Sequence, residues 1–186
     1  MRITKEPEER KQEILNTALR LFQEKGYEKT SISDIAKDIG VAQGLCYRYF
    51  PSKESLFDSV VDQYAEMLTS AHLRPFQTEY KPLKQIIEEI PADVENDDDH
   101  YYPMFHGIEN KKFHDQLALK VCEKLIAPTT KILQSAQEHG EIHVDDIDTA
   151  ASFCVYGQLG ILLNENMSPD ERKKRIQDFL LYALRL

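Results

Sequence analysis

Apolar residues return along this chain at the three-to-four spacing of helices, and hardly anywhere at the alternate spacing of strands. Ile14, Leu15, Ala18, Leu21 and Phe22 mark the inner face of a helix over residues 8–25, which Gly26 stops. Ile35, Ala36 and Ile39 share one face of a short helix with Ser31 or Ser33 as N-cap and Gly40 as the left-handed residue that ends it. Val41 turns inward to cover the bend, and the small Ala36 lets the next helix cross closely. That helix spans Ala42 to Phe50, with Cys46 and Phe50, four apart, on its buried side. Pro51-Ser52 opens a fourth helix, capped by Ser52 and running to about Ala71, with Leu56, Phe57, Val60, Val61, Tyr64 and Leu68 along one side.

From His72 to Asp99 the pattern weakens, punctuated by Pro75, Pro82 and Pro91; Pro82 opens a short helix carrying Leu83, Ile86, Ile87 and Ile90. ENDDDH (95–100) reads as a solvated loop. Tyr101 to Glu109 is unusually aromatic, and Pro103 and Gly107 make it a short or kinked helix. Asn110 to His139 reads as one long helix or two joined near Pro128, with Phe113, Leu117, Val121, Cys122, Leu125, Ile132, Leu133 and Ala136 inward. After Gly140 and an extended connector, Asp146 or Asp148 caps a helix to about Leu163. Its sequence, IDTAASFCVYGQLGILL, is apolar almost all round, which predicts a subunit interface as well as a core, with Gly157 and Gly160 permitting close helix approach. Ser168-Pro169-Asp170-Glu171 is a capping box with proline at N1, and Ile176, Phe179, Leu180, Ala183 and Leu184 form the stripe of the last helix.

With 186 residues, 41% of them hydrophobic, the chain can bury a sizeable core and is not globally disordered. The N-terminus is charged and no apolar run approaches the length of about 18 residues that spans a bilayer, so a soluble cytoplasmic protein with no membrane partner is expected. Cys46, Cys122 and Cys154 are odd in number and show no CxxC spacing, which makes them reduced packing residues. A net charge of −9 argues against nucleic acid until it is divided. Residues 1–53 carry 10 Lys and Arg against 8 Asp and Glu, net +2; the remainder carries 13 against 24, net −11. The acidity belongs to the second part of the chain, where it suppresses non-specific binding to phosphate.

The outer face of the Ala42–Phe50 helix is left to Gln43, Gly44, Leu45, Tyr47, Arg48 and Tyr49. Gln bonds bidentately to adenine and Arg to guanine O6 and N7, and an apolar tip such as Leu45 touches a thymine methyl. Gly44 lets a sugar-phosphate backbone come close, while the tyrosine hydroxyls and Lys53 suit phosphates. Helix, glycine turn and second short helix together are a helix-turn-helix. The run from Thr30 to Phe57, TSISDIAKDIGVAQGLCYRYFPSKESLF, preceded by EKGYEKT, resembles the DNA-binding domain of the TetR family of one-component repressors. Gly26, Ile35-Ala36, Gly40-Val41, Gly44, Tyr47, Tyr49-Phe50 and Lys53 carry the likeness. Two positions depart from it: Ala42 stands where Ser or Thr often caps the recognition helix, and Leu45-Cys46 replaces the commoner Thr-Leu or Ser-Ile.

The resemblance implies an all-α fold of about nine helices. A three-helix helix-turn-helix domain takes 1–53, a helical ligand-binding and dimerisation domain takes 54–186, and the helix over 52–71 connects them. It implies double-stranded DNA as partner, through Thr30, Ser31, Gln43, Gly44, Leu45, Tyr47, Arg48, Tyr49 and Lys53, and a homodimer formed by the last two helices on a palindromic operator. It also implies a small-molecule inducer. Tyr101, Tyr102, Met104, Phe105 and His106 would line its pocket with Tyr64, and Phe153 and Tyr156 opposite. No buried Lys or Arg candidate stands out in the apolar helices, which favours a mostly hydrophobic or aromatic inducer. No glycine-rich phosphate loop, GxSxG or HExxH occurs, so neither an enzyme nor a cofactor is expected. His106 and His114 share a face with Asn110 if the helix is continuous, and His100 lies near, whereas His139 and His143 straddle Gly140. Neither set meets the spacing of a strong metal site, and no metal is expected. A metal sensor, or a DNA-independent ligand-binding or protein-interaction module with a vestigial head, are the alternatives.

Overall fold

A computed structural model of the chain describes residues 5–73, 80–90, 111–164 and 166–186, and the regular elements among them are all α-helices. They are α1 (Pro7–Lys25), α2 (Ile32–Ile39), α3 (Gln43–Tyr49), α4 (Lys53–Leu73), α5 (Leu83–Glu88), α6 (Lys111–Glu138), α7 (Ile147–Tyr156), α8 (Leu159–Leu162) and α9 (Pro169–Leu184). The chain divides within α4 into two compact units. The first runs to Tyr64 and takes in α6 as far as Leu117; the second holds the described residues from Ala65 and from Ala118 onward. His100 and the aromatic run from Tyr101 to His106 lie outside the described residues, as does the side chain of His114.

In the first unit the helical period is obeyed closely. Ile14, Ala18, Ile35, Cys46 and Leu56 are wholly withdrawn from solvent, and Leu15, Leu21, Phe22, Ile32, Ala36, Phe50, Phe57 and Val60 join them. Ser31, not Ser33, caps α2. Its hydroxyl accepts the Asp34 N–H (3.1 Å), and its own N–H and hydroxyl donate to Asp34 Oδ2 (2.9 and 2.6 Å). Gly40 closes the helix at φ 76°, where a side chain would be strained. The Gly40 N–H reaches the Lys37 carbonyl (3.2 Å) and the Val41 N–H that of Ala36 (2.9 Å), so two carbonyls that the helix end leaves open are satisfied within the turn. Ser52 caps α4 in a reciprocal pair with Ser55, each N–H meeting the other's hydroxyl.

The second unit is built on Leu83, Ile87, Leu133, Ala136, Ile142, Ala151, Ile176, Leu180 and Leu184. At six residues α5 is far below the length at which a helix holds itself, and other segments hold both its ends. Glu141 accepts the Leu83 N–H (2.8 Å) and the Tyr80 hydroxyl (2.6 Å), while the Gln177 amide donates to the carbonyls of Ile87 and Glu88 (3.0 and 2.9 Å). α6 is one helix running through Pro128, and Gly140 (φ 74°) ends it with the same turn that Gly40 makes after α2.

One expectation is corrected here. The helix capped by Asp146 stops at Tyr156 instead of running to Leu163, and four residues of α8 follow a turn. At that turn a Cβ on Gly157 would stand 2.5 Å from the Phe153 carbonyl oxygen, so its own backbone already calls for glycine there, whereas a Cβ on Gly160 would meet no described residue of this chain within 4 Å. On α9, Ile176, Leu180 and Leu184 take the inner positions, whereas Phe179 (61% exposed) and Ala183 face outward. The spacing i, i+4, i+8 already fills the contact with the core, which leaves no inner place for Phe179. Half of the α9 capping box forms: the Ser168 hydroxyl accepts the Glu171 N–H (3.3 Å), while the Glu171 carboxylate pairs with Arg175 (2.8 Å). No helix among the described residues is long and apolar enough to cross a membrane.

Two measurements test this framework. Gly157→Ala forces its new methyl onto a backbone carbonyl and should destabilise the protein by about 1–3 kcal/mol in urea titration. Gly160→Ala adds helix propensity in open space and should stabilise it by about 0.5–1 kcal/mol; equal effects would refute the distinction. For α2, the Ser31 hydroxyl and N–H hold the Asp34 carboxyl below the usual carboxylate range. A group depressed in the folded state stabilises it above the unfolded pKa and ceases to do so as pH falls through the folded one. The urea midpoint of Asp34→Asn should therefore trail the wild type fully near neutral pH and converge on it as pH drops below about 4. A gap that stays constant into strong acid would remove the carboxylate from the cap.

Candidate nucleic-acid interface

α3 exists by virtue of the turn before it. Ala42 sits at its N-cap with extended backbone and no side-chain cap, and the Leu45 N–H to Ala42 carbonyl bond (2.9 Å) begins the helix. Of its seven residues Cys46 alone is buried, and burial pushes the Cys46 thiol up out of the reactive range. Gln43, Gly44, Tyr47 and Arg48 are exposed, and Leu45 and Tyr49 are half-buried. Among the described residues no hydrogen bond, ion pair or ring contact engages the side chain of Gln43, Tyr47 or Arg48. A Cβ on Gly44 would meet nothing of this chain within 4 Å, so packing does not require glycine there and its effect is to leave room on the outer face. A seven-residue helix with one buried position and a row of unengaged hydrogen-bonding groups has the size and chemistry to enter a major groove.

Two of the expected DNA contacts are placed differently. Thr30 is 1% exposed; its hydroxyl donates to the carbonyls of Gly26 and Leu21 (2.9 and 3.1 Å), and its N–H reaches the Tyr27 carbonyl (3.2 Å). It fastens the start of α2 to the end of α1. Ser31 is exposed, yet its hydroxyl proton and N–H are both directed to Asp34. Lys53 is half-buried, with Nζ 4.1 Å above the centroid of the Tyr27 ring and 3.4 Å from the Glu28 carbonyl. Sequence reasoning passed over Tyr27, whose partner lies 26 positions away across two helices; the aromatic residue in EKGYEKT is the signal that was there to be used.

Of the residues expected to line an inducer pocket, Tyr64 is buried in the first unit, whereas Phe153 (75% exposed) and Tyr156 lie on the open side of α7 in this chain. The other five are outside the described residues. Among the described residues the buried polar side chains are Thr30 and Thr69, and no group of three or more His, Cys, Asp or Glu is placed to hold a metal ion.

Residues 14–60 match the family model described as bacterial regulatory proteins, tetR family. The chain is 46% identical over 56 residues to the HTH-type transcriptional regulator YuxN of Bacillus subtilis, covering 30% of this chain and 19% of YuxN. It is 34% identical over 164 residues to YerO, another HTH-type transcriptional regulator of that organism, covering 83% of this chain and 56% of YerO. It thus spans about a fifth and a little over half of these two relatives. Among solved structures, Salmonella enterica GusR is similar along 98% of both chains, with 25% identity and a TM-score of 0.66. With a matched helix-turn-helix head and a likeness that continues into the second unit, the chain belongs to the TetR family of bacterial transcriptional regulators.

Proposed function

We propose that this protein is a homodimeric repressor that binds a palindromic operator through α3 and leaves it when a small, mostly hydrophobic or aromatic inducer binds the C-terminal domain. It acts by binding and not by turnover. The observation that carries the reading is the outer face of α3, where the side chains of Gln43, Tyr47 and Arg48 are exposed and engaged by no other described residue. Gln43 and Arg48 are the base readers, the tyrosine hydroxyls and Lys53 meet phosphates, and Thr30 and Ser31 position the helix from behind.

Dimerisation is supported by the last two long helices. Phe153 and Tyr156 on α7, Leu163 at the end of α8, and Phe179 and Tyr182 (82% exposed) on α9 are exposed in the single chain. Five large apolar side chains in water on neighbouring elements are more than scattered surface residues, and pairing with the same face of a second copy would cover them. Two recognition helices then serve successive major grooves when their separation is about 34–36 Å, one turn of DNA, or a modest multiple of it. An inducer that prefers a conformation with the heads wrongly spaced draws the population off the operator, and DNA weakens inducer binding by the same factor. The helix α4, which begins at Lys53 in one unit and continues past Tyr64 into the other, is the proposed carrier of that movement.

A gel shift with the DNA upstream of the protein's own gene tests the reading, and failure to retard it even at low salt would defeat it. In the same assay Arg48→Ala should lower discrimination between operator and scrambled duplex by about 1–3 kcal/mol. An equal loss on both duplexes would make Arg48 a phosphate contact instead. Tyr182→Glu places a charge on the proposed interface, at a position with ample exposure in the single chain. It should yield monomers in sedimentation and weaken operator binding; a dimer of unchanged mass would move the interface elsewhere.

A further inference from the structure

We propose that Tyr27 is the positioning residue for Lys53: its ring holds the Lys53 ammonium at the start of α4, ready for a backbone phosphate of bound DNA. The inference rests on the DNA-binding reading and adds to it a residue outside the recognition helix. The Tyr27 ring is itself fixed. It packs against Phe57 (4.5 Å between centroids, 51°) and Phe22 (5.4 Å, 59°), and those two meet edge to face (5.8 Å, 70°). One face of this wedged ring carries Lys53 Nζ at 4.1 Å, well inside the range of about 6 Å at which a cation is drawn to an aromatic quadrupole.

A lysine side chain otherwise carries much rotamer entropy, which a phosphate contact must overcome. Here much of that ordering precedes the DNA. The ammonium has three N–H donors. One is directed to the Glu28 carbonyl (3.4 Å) and the ring attracts the side beneath it, which leaves donor capacity on the side away from the ring. A carboxylate in the ring's place would neutralise the charge that the phosphate needs; an aromatic face holds the cation and leaves its charge intact. Burial first, and then the charges of Glu54, Glu28 and Asp58, raise the pKa of the Tyr27 hydroxyl, so the ring beneath the ammonium stays neutral.

The test uses the full-length chain and fluorescence anisotropy on a duplex taken from upstream of its own gene, across a salt series. Lys53→Gln should reduce the slope of log affinity against log salt by about one. Tyr27→Phe, which keeps the ring, should bind as the wild type does, and Tyr27→Leu should bind about 2–5-fold more weakly. In the Lys53→Gln background Tyr27→Leu should add nothing. An equal loss in both backgrounds would mean that Tyr27 acts only by packing, and would overturn the proposal. A second readout needs no DNA: the Lys53 side-chain protons should be shifted upfield by the ring in wild type and Tyr27→Phe, and not in Tyr27→Leu. Absence of that shift in the wild type overturns the proposal by itself. Wild-type protein that shows the shift but binds no duplex at low salt overturns the DNA-binding reading, and the positioning role with it.

Discussion

The α2–α3 turn is the constraint on which the head depends. Gly40 takes the left-handed conformation, two carbonyls of α2 are satisfied inside the turn, and the chain leaves at an angle that presents α3 outward. A helix of seven residues would not persist alone in water, and α3 has no side-chain cap to help it. It is held from below by Cys46 and at its end by Phe50, both buried. With so few positions committed to packing, the remaining face is free of structural duty. This is why its polar groups can be available to a partner, and why Ala42 and Leu45 can depart from the family's usual residues without loss of the fold.

Electrostatics divides the labour in the same way. A head of net +2 on residues 1–53 and a remainder of net −11 give a protein whose attraction to phosphate is local. Within the head, the positive groups differ in their commitments. Arg20 is tied to Asp38 and Glu24, and Arg10 to Glu13. The Arg48 side chain is engaged by no other described residue, and Lys53 rests on a neutral ring. Neither of these two cations on the proposed DNA-facing side is paired with a carboxylate among the described residues.

The sequence revealed most where structure is local. Periodicity located the buried faces of α1, α2 and α4, and glycines with hydrogen-bonding caps located their ends, because these depend on residues within a turn or two of one another. What escaped it depends on contacts that are distant in the chain, or on three-dimensional room. The burial of Thr30 follows from a bond to Leu21, nine residues earlier, and the holding of α5 follows from Glu141 and Gln177. The break after Tyr156 escaped because an apolar run looks helical throughout, while the crowding at the Phe153 carbonyl is visible only in space. Phe179 shares the apolar stripe of α9 but not its buried part, because periodicity identifies a stripe and not how much of its width the chain's own core accepts. Of the proposed reading face, Gln43, Tyr47 and Arg48 were recognisable from residue chemistry; Tyr27 was not, since its value lies in a partner on another helix.

The proposed dimer is also what the strength of reading requires. Each good bidentate contact discriminates between bases by about 1–3 kcal/mol, and α3 offers two such side chains, Gln43 and Arg48. One head thus supplies roughly 2–6 kcal/mol, whereas specific sites are typically preferred over bulk DNA by about 4–10 kcal/mol. A single copy reaches at most the lower half of that range, and two copies on a palindrome cover all of it. Both heads must then engage together, and specificity becomes conditional on their spacing. Such a protein needs no change within α3 to release its operator: a displacement that denies one head its groove returns the other to the weaker range.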